Sequence, residues 1–212
     1  MDWRQTRATA ILVVATIIVS ALVILTGQEG YAALVAGFIP ALASGAVLPP
    51  EIGASVPWWL TPLTATLLHA NFIHLTLNLV MLYYCGQMTE RALDAKGLVV
   101  LYVVGAYAAA AGQWLQDPGG AAPMIGASGA ISAVIAAYSL FYGKMRAKPL
   151  GPIPASVIHV LWLAAAWIGI QLLTGLAGLN GEVRIAIGAH IGGFIAGLVL
   201  ARPLLLWRYR GA

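Results

Sequence analysis

Long apolar segments separated by short polar stretches run along most of the chain. Six of them approach the length of about 20 residues that a membrane-spanning helix needs. They cover residues 8–26, 67–88, 98–115, 124–142, 155–176 and 183–206. This pattern predicts an all-α membrane protein with six transmembrane helices, forming a single domain over residues 1–212. We interpret the first segment as a retained span, because no small-x-small cleavage site of a signal peptide follows it.

The stretch between the first two spans, residues 27–60, has a different character. It is apolar over residues 31–48 but is broken at Pro40 and closed by Pro49-Pro50. A seventh span is an alternative, although it would disturb the charge distribution described next. We therefore predict a long, partly helical first loop that lies in the membrane interface.

Composition and charge agree with a multi-pass membrane protein. The chain is 61% hydrophobic and 8% charged, whereas soluble domains carry about 25% charged residues. With six spans, one side of the membrane receives Arg4, Arg7, Arg91, Lys96, Lys144, Arg146, Lys148, Arg202, Arg208 and Arg210, and the other receives Arg184. Because basic residues concentrate on the cytoplasmic side, we expect a cell-membrane protein with both termini in the cytoplasm.

Other functional classes are disfavoured by what the sequence lacks. The net charge is only +4, and no basic run interleaved with aromatic residues indicates nucleic-acid binding. A single cysteine, Cys85, excludes an internal disulfide and disfavours a thiol-ligated metal centre. The middles of the spans lack Lys, Arg, Asp and Glu, one of which a proton-coupled transporter usually needs.

The fourth apolar segment opens with the tetrapeptide Gly126-Ala127-Ser128-Gly129. Glycines allow a sharp turn and close approach of a substrate, and the N–H groups at a helix start favour a developing negative charge. A helix from Ser128 to Tyr142 is about 22 Å long, shorter than the hydrocarbon core of about 30 Å. We therefore expect Ser128 below the outer surface, at the floor of a cavity.

The sixth segment carries His190 beside a row of small residues that allows helices to approach closely. The row consists of Ala189, Gly193, Gly197 and Ala201, and the fourth segment offers Ser128, Ser132 and Ala136. Contact between these rows would bring the imidazole to the serine hydroxyl, and such a pair makes an activated nucleophile. The alternative is ordinary helix packing, with His190 bonded to a backbone carbonyl.

The second segment contains His69, His74 and Asn78. His74 and Asn78 are four residues apart and share a helix face, so they could present two hydrogen-bond donors to one point. Alternatively, these groups only join neighbouring helices, for about 0.6 kcal/mol each. A further alternative is a small transporter or a bis-histidine haem protein that uses His69, His74 and His190. We interpret His159, near the cytoplasmic end of the fifth segment, as structural or interfacial.

Together, these motifs in the second, fourth and sixth segments resemble those of the rhomboid intramembrane serine proteases, over about residues 55–201. The resemblance implies a rhomboid-like six-helix bundle whose first loop, residues 27–60, lies in the outer leaflet. Glu90 matches an acidic position of the family. No metal or organic cofactor is implied, and the sequence specifies no oligomeric state.

The resemblance also implies roles for individual residues. Ser128 would be the nucleophile, and His190 the general base and then the general acid. His74 and Asn78, with the Ser128 N–H, would form the oxyanion hole, and His69 would brace the second span and the first loop. Gly126, Gly129, Gly193 and Gly197 would be structural residues near the site. The partners would be membrane lipids and transmembrane protein substrates, cut near the outer leaflet at small residues. A catalytically silent relative that binds membrane clients is the alternative.

Two positions depart from the family pattern. Where many members have Trp-Arg in the first loop, this chain has Leu60 and Thr61. Four residues after the serine, where some members place an aromatic residue against the histidine, it has Ser132. We therefore expect a different anchoring of the loop and a different support for the imidazole, such as a hydrogen bond.

Overall fold

The computed structural model describes residues 6–143, 148–178 and 186–210, and these ranges are predominantly helical. Their α-helices are, in chain order, α1 (Arg7–Leu25), α2 (Glu29–Ala36), α3 (Pro40–Ala43), α4 (Thr61–Thr64), α5 (Phe72–Gln116), α6 (Ser128–Tyr142), α7 (Ala155–Gly178) and α8 (Ile187–Arg208). Short 3₁₀ turns form at Pro50–Ile52 and Ala65–Leu67. Within the described ranges, β structure is limited to isolated bridges that pair Phe38 with Met124 and Leu150 with Ile153.

Three helices of the described part are long and apolar enough to cross a membrane, namely α1, α5 and α8. Helix α6 and the first half of α7, Ala155–Trp167, are apolar but shorter. The predicted helical, apolar character is therefore confirmed. Residues 183–185 of the sixth predicted segment lie outside the described residues, as do Arg4, Lys144, Arg146 and Arg184 of the charge pattern.

Helix α5 joins the second and third predicted segments into 45 residues. Its one interruption is Asp94, whose φ of 65° and ψ of 178° are not helical. The Asp94 carboxylate accepts the N–H of Gly97 at 2.9 Å and so caps the continuation of the helix. A break at a single residue thus replaces the polar connection expected between residues 88 and 98.

The start of α5 also differs from the expected boundary at Leu67. The helix begins at Phe72, because the Asn71 side chain accepts the backbone N–H of His74 at 2.8 Å and caps the first turn. Leu67 instead ends the preceding 3₁₀ turn. Helix α6, Ser128–Tyr142, is 15 residues long; it ends where the fourth predicted segment ends and begins at the serine, four residues after the start of that segment at Met124.

The core is formed where α5, α6 and α8 pack against one another. Helix α6 supplies many of its buried residues. Its small side chains are completely buried at Ala133, Ala136 and Ala137. Large leucines of α5, including Leu82 and Leu101, fill the space on that side. Small residues on α6 let its neighbours approach closely, which is the packing expected where lipid supplies no hydrophobic drive between helices.

Helix α1 is attached to this core through Glu90. The buried carboxylate accepts the backbone N–H groups of Ala8 at 2.9 Å and Thr9 at 2.8 Å, and the Thr9 hydroxyl at 2.6 Å. First-turn N–H groups have no acceptor within their own helix, so Glu90 serves as the cap of α1. This contact gives the acidic position singled out in the sequence a structural role.

Candidate active site

Ser128 is the first residue of α6 and is half-buried. The turn before it is held by backbone contacts to the segment that precedes α5. The N–H of Gly126 donates to the carbonyl of Ala65 at 2.9 Å, and the N–H of Ala127 donates to Nε2 of His69 at 3.4 Å. The position of the serine is therefore set from two sides, by its own helix and by residues 65–69.

Gly126 is required in this turn for two reasons. Its φ of 115° lies in a region that other residues rarely adopt. A Cβ added there would lie 2.8 Å from Cε1 and 2.9 Å from Nε2 of His74. The His74 ring therefore lies directly against the backbone that leads into Ser128.

His190 and Ser128 meet at hydrogen-bond distance. Nε2 of the histidine lies 2.7 Å from Oγ of the serine. The predicted contact between small residues brings them together, because Gly193 lies against the Gly129 carbonyl and Gly197 against the backbone of Ala133. A methyl group at either glycine would overlap α6.

A second face of α8 packs equally closely against α5 and was missed by the sequence reasoning. Gly112 lies against the backbone of Gly188 and Gly192. The side-chain oxygen of Gln116 accepts the N–H of Gly188 at 2.7 Å, in the first turn of α8. The signal in the sequence was the spacing of Gly188 and Gly192, which is typical of close helix contacts. Two faces of α8 therefore hold His190 in place.

His74 and Asn78 lie one turn apart at the start of α5. Asn78 is buried, and its amide nitrogen donates to the His74 carbonyl at 2.9 Å. An amide group has two N–H donors, so this bond uses one of them. The His74 ring therefore lies against Gly126, and the Asn78 amide is held to the α5 backbone with one N–H left to donate.

His69 is completely buried and connects three parts of the chain. Nδ1 lies 2.9 Å from the Ser20 hydroxyl of α1, and Nε2 accepts the N–H of Ala127. The rings of His69 and His74 meet edge to face, with centroids 4.8 Å apart. Because both ring nitrogens of His69 are engaged, this histidine is not available as an axial ligand of a bis-histidine haem.

The contacts of Ser132, of the His190 backbone and of His159 lie outside the serine–histidine pair itself. Ser132 donates its hydroxyl to the Ser128 carbonyl at 2.7 Å, so its proton is used within α6. The His190 carbonyl accepts Nε1–H of Trp167 at 3.3 Å, and Trp167 stacks on Phe194. His159 lies near Gly143, at the opposite end of α6 from Ser128.

A cavity opens beside Ser128, and most of the residues that line it are small. Its lining includes Ala65, Ala106, Ala109, Gly126, Gly129 and Ala189. In the described part of the chain, no three His, Cys, Asp or Glu side chains are grouped so that they could hold a metal ion. Ser128 brings its hydroxyl to this cavity, with His190 within hydrogen-bond distance of it and the His74 ring against the neighbouring Gly126.

The fold and the site define a class of protein, a helical membrane protein with a serine–histidine pair at the start of a buried helix. The family model for the rhomboid domain matches residues 57–207. This range includes Ser128, His190 and the site residues around them, while Ser20, the α1 contact of His69, lies outside it. The chain belongs to the rhomboid family.

Similar proteins include the rhomboid protease GlpG of Serratia proteamaculans (strain 568), which is 33% identical over 137 residues, or 63% of this chain and 44% of that protein. The rhomboid protease AarA of Providencia stuartii is 28% identical over 169 residues, or 74% of this chain and 59% of that protein. GlpG of Yersinia pestis is 33% identical over 137 residues, with the same shares as the Serratia protein. The chain thus spans about half the length of the curated relatives it matches.

Proposed function

We propose that this protein is an intramembrane serine endopeptidase that uses a catalytic dyad of Ser128 and His190. The observation that carries the proposal is the distance of 2.7 Å between Nε2 of His190 and Oγ of Ser128. Membership of the rhomboid family and the names of its protease relatives support it. A catalytically silent relative would not need both groups at hydrogen-bond distance.

In this mechanism, Oγ of Ser128 attacks the carbonyl carbon of the scissile peptide while Nε2 of His190 takes the hydroxyl proton. Neutral imidazole suits this role because its unprotonated ring nitrogen can accept a proton and later return it. The protonated His190 then gives the proton to the leaving amine. Water reacts with the acyl-enzyme in the same way and releases Ser128.

The oxyanion formed in each step is stabilised by donors around the start of α6. We assign this role to the backbone N–H of Ser128 together with the side chains of His74 and Asn78. The position of the His74 ring against Gly126 and the remaining N–H of Asn78 support the assignment. In other serine enzymes, one such donor contributes about 3–4 kcal/mol to transition-state stabilisation.

The substrates are transmembrane segments of other membrane proteins, with small residues at the cut site. The cavity next to Ser128 supports this preference, because its volume of about 20 Å³ leaves room only for a small substrate group. A substrate helix must also unwind locally, since a helix hides its carbonyls within its own hydrogen bonds.

The single domain crosses the cell membrane six times, with both termini in the cytoplasm. The six spans are α1, the two halves of α5 on either side of Asp94, α6, α7 and α8. Each half of α5 exceeds the roughly 20 residues that a span needs. The segment between α1 and α5 contains only short helices, which supports a first loop at the outer interface.

Cleavage of a transmembrane reporter by purified protein in liposomes tests the dyad. Ser128→Ala and His190→Ala are each expected to abolish cleavage, and the double variant to lose no more than either single one, since the two act as a unit. His74→Ala and Asn78→Ala are expected to slow it only partly, by about 100-fold. Full activity of His190→Ala would contradict the mechanism.

Ser132→Ala is the matched control for the serine. This residue lies in the same helix, but its hydroxyl donates to the Ser128 carbonyl. Its removal is expected to leave the cleavage rate within about twofold, because such a bond inside a helix contributes little. Circular dichroism and thermal unfolding in detergent check that each variant remains folded.

A further inference from the structure

Ser20, a buried residue of α1, contacts the segment that leads into α5. Its side chain is completely buried. The hydroxyl lies 2.7 Å from the carbonyl of Leu67 and 2.9 Å from Nδ1 of His69. Family resemblance assigned no role to this position, which lies outside the matched residues 57–207.

The two contacts of Ser20 determine which nitrogen of His69 carries the proton. A carbonyl oxygen only accepts, so the single hydroxyl proton of Ser20 goes to Leu67. Oγ of Ser20 is then left as an acceptor, and Nδ1 of His69 must donate to it. In the neutral ring, Nε2 therefore has no proton and can accept the N–H of Ala127, which faces it at 3.4 Å.

The opposite tautomer would disrupt this arrangement. A proton on Nε2 would point at the N–H of Ala127, so the two donors would repel each other. Ala127 directly precedes Ser128, and the same imidazole contacts the ring of His74 at a centroid distance of 4.8 Å. The tautomer of His69 thus affects both the serine's turn and a proposed oxyanion donor.

We propose that Ser20 is a positioning residue of the active site, holding His69 as the Nδ1–H tautomer so that its Nε2 orients the Ala127–Ser128 backbone. This inference rests on the proposed protease function. The alternative is that Ser20 only ties α1 to the bundle. That alternative predicts a loss of stability in Ser20 variants with kcat unchanged in the folded fraction.

The chain offers a matched control one helical turn away. Thr16 lies on the same face of α1 and is 1% exposed. Within the described part of the chain its hydroxyl has no hydrogen-bond partner. Thr16→Ala therefore removes a buried hydroxyl from the same interface without touching His69.

The kinetic test compares Ser20→Ala, Thr16→Ala, His69→Ala and the double variant Ser20→Ala/His69→Ala in the liposome cleavage assay. We expect Ser20→Ala to lower kcat about tenfold, equivalent to one lost hydrogen bond at the transition state, with KM within twofold. Thr16→Ala should keep the full kcat. The double variant should match His69→Ala, because Ser20 acts through His69. Unchanged kcat in folded Ser20→Ala would overturn the proposal.

The tautomer itself can be observed without any activity. Nitrogen NMR of ¹⁵N-histidine-labelled protein, with His69 assigned from a His69→Gln sample, should show a protonated Nδ1 and an unprotonated Nε2. In Ser20→Ala the proton should move, wholly or in part, to Nε2. A wild-type His69 protonated at Nε2 would overturn the proposal even if every Ser20 variant failed to fold.

The two readouts separate this proposal from the proposed function. If the wild-type protein cleaved no reporter and did not react with a serine-directed probe, the protease function would fail and the positioning role with it. If the protein cleaved the reporter but folded Ser20→Ala kept the full kcat, or wild-type His69 carried its proton on Nε2, only the role of Ser20 would fail.

Discussion

Helix α8 contacts α6 on one side and α7 on another, and the two contacts are built differently. Against α6, Gly193 and Gly197 lie directly on backbone atoms, with no room for a methyl group. Against α7, the described contact runs through the stacked rings of Trp167 and Phe194, whose centroids are 5.1 Å apart. The backbone contact sets the distance between the helices, whereas the aromatic contact can adjust through side-chain rotation. We infer that the contact with α6, more than the contact with α7, determines the position of the His190 side chain.

The largest effect is expected from Gly193→Ala, which adds a methyl group to the α6 contact. That methyl would overlap the Gly129 carbonyl and lie 3.3 Å from Cβ of Ser132, so α8 must move away from α6. A shift of about 1 Å can lower a rate 100-fold, and we expect at least that loss in reporter cleavage. Gly30→Ala in α2, where an added methyl meets nothing within 4 Å, is the control. A fully active Gly193→Ala variant would contradict the inference that the α6 contact determines the position of His190.

A smaller effect is expected from Trp167→Phe on the α7 side. Phenylalanine keeps an aromatic ring to stack on Phe194 but loses the N–H that donates to the His190 carbonyl at 3.3 Å. Losing one such bond, worth about 0.5–1.5 kcal/mol, should slow cleavage about two- to tenfold. The measurement is kcat with the same reporter. A loss as large as that of Gly193→Ala would show that the α7 contact determines the position of the His190 side chain as strongly as the α6 contact does.

The smallest effect is expected from Trp162→Ala on the outer face of α7. This side chain is 69% exposed and would face lipid in the proposed six-span arrangement. Substitutions at exposed positions usually change the free energy of unfolding by less than about 0.5 kcal/mol. Cleavage should stay within twofold of wild type, and thermal unfolding should be unchanged. A marked loss of activity would mean that this face of α7 contacts the substrate.

The sequence predicted the α6–α8 side of this comparison well. Small residues at a spacing of four mark a close helix contact without reference to any other part of the chain. The start of α6 at Ser128 was also predictable, because Gly126 and Gly129 flank the serine. Both features are local patterns, and the contact between Ser128 and His190 follows once the two rows are brought together.

The contacts that connect distant parts of the chain were not predictable in this way. Ser20 and His69 are 49 positions apart, and a single serine in an apolar helix carries no periodic signal. The connection expected between the second and third segments is reduced to the single non-helical residue Asp94, because its side chain caps the helix that follows. Ser132 was noted as a departure, but its bond to the Ser128 carbonyl depends on a rotamer that the sequence does not specify.

The most direct test of the central claim is labelling of the protein by a fluorophosphonate, which reacts with activated serine hydroxyls. We predict that the probe modifies Ser128 in the wild-type protein, as located by mass spectrometry, and that Ser128→Ala and His190→Ala abolish labelling. Ser132→Ala should be labelled like the wild type. Labelling that persists in Ser128→Ala would show that another residue is the nucleophile and would contradict the account.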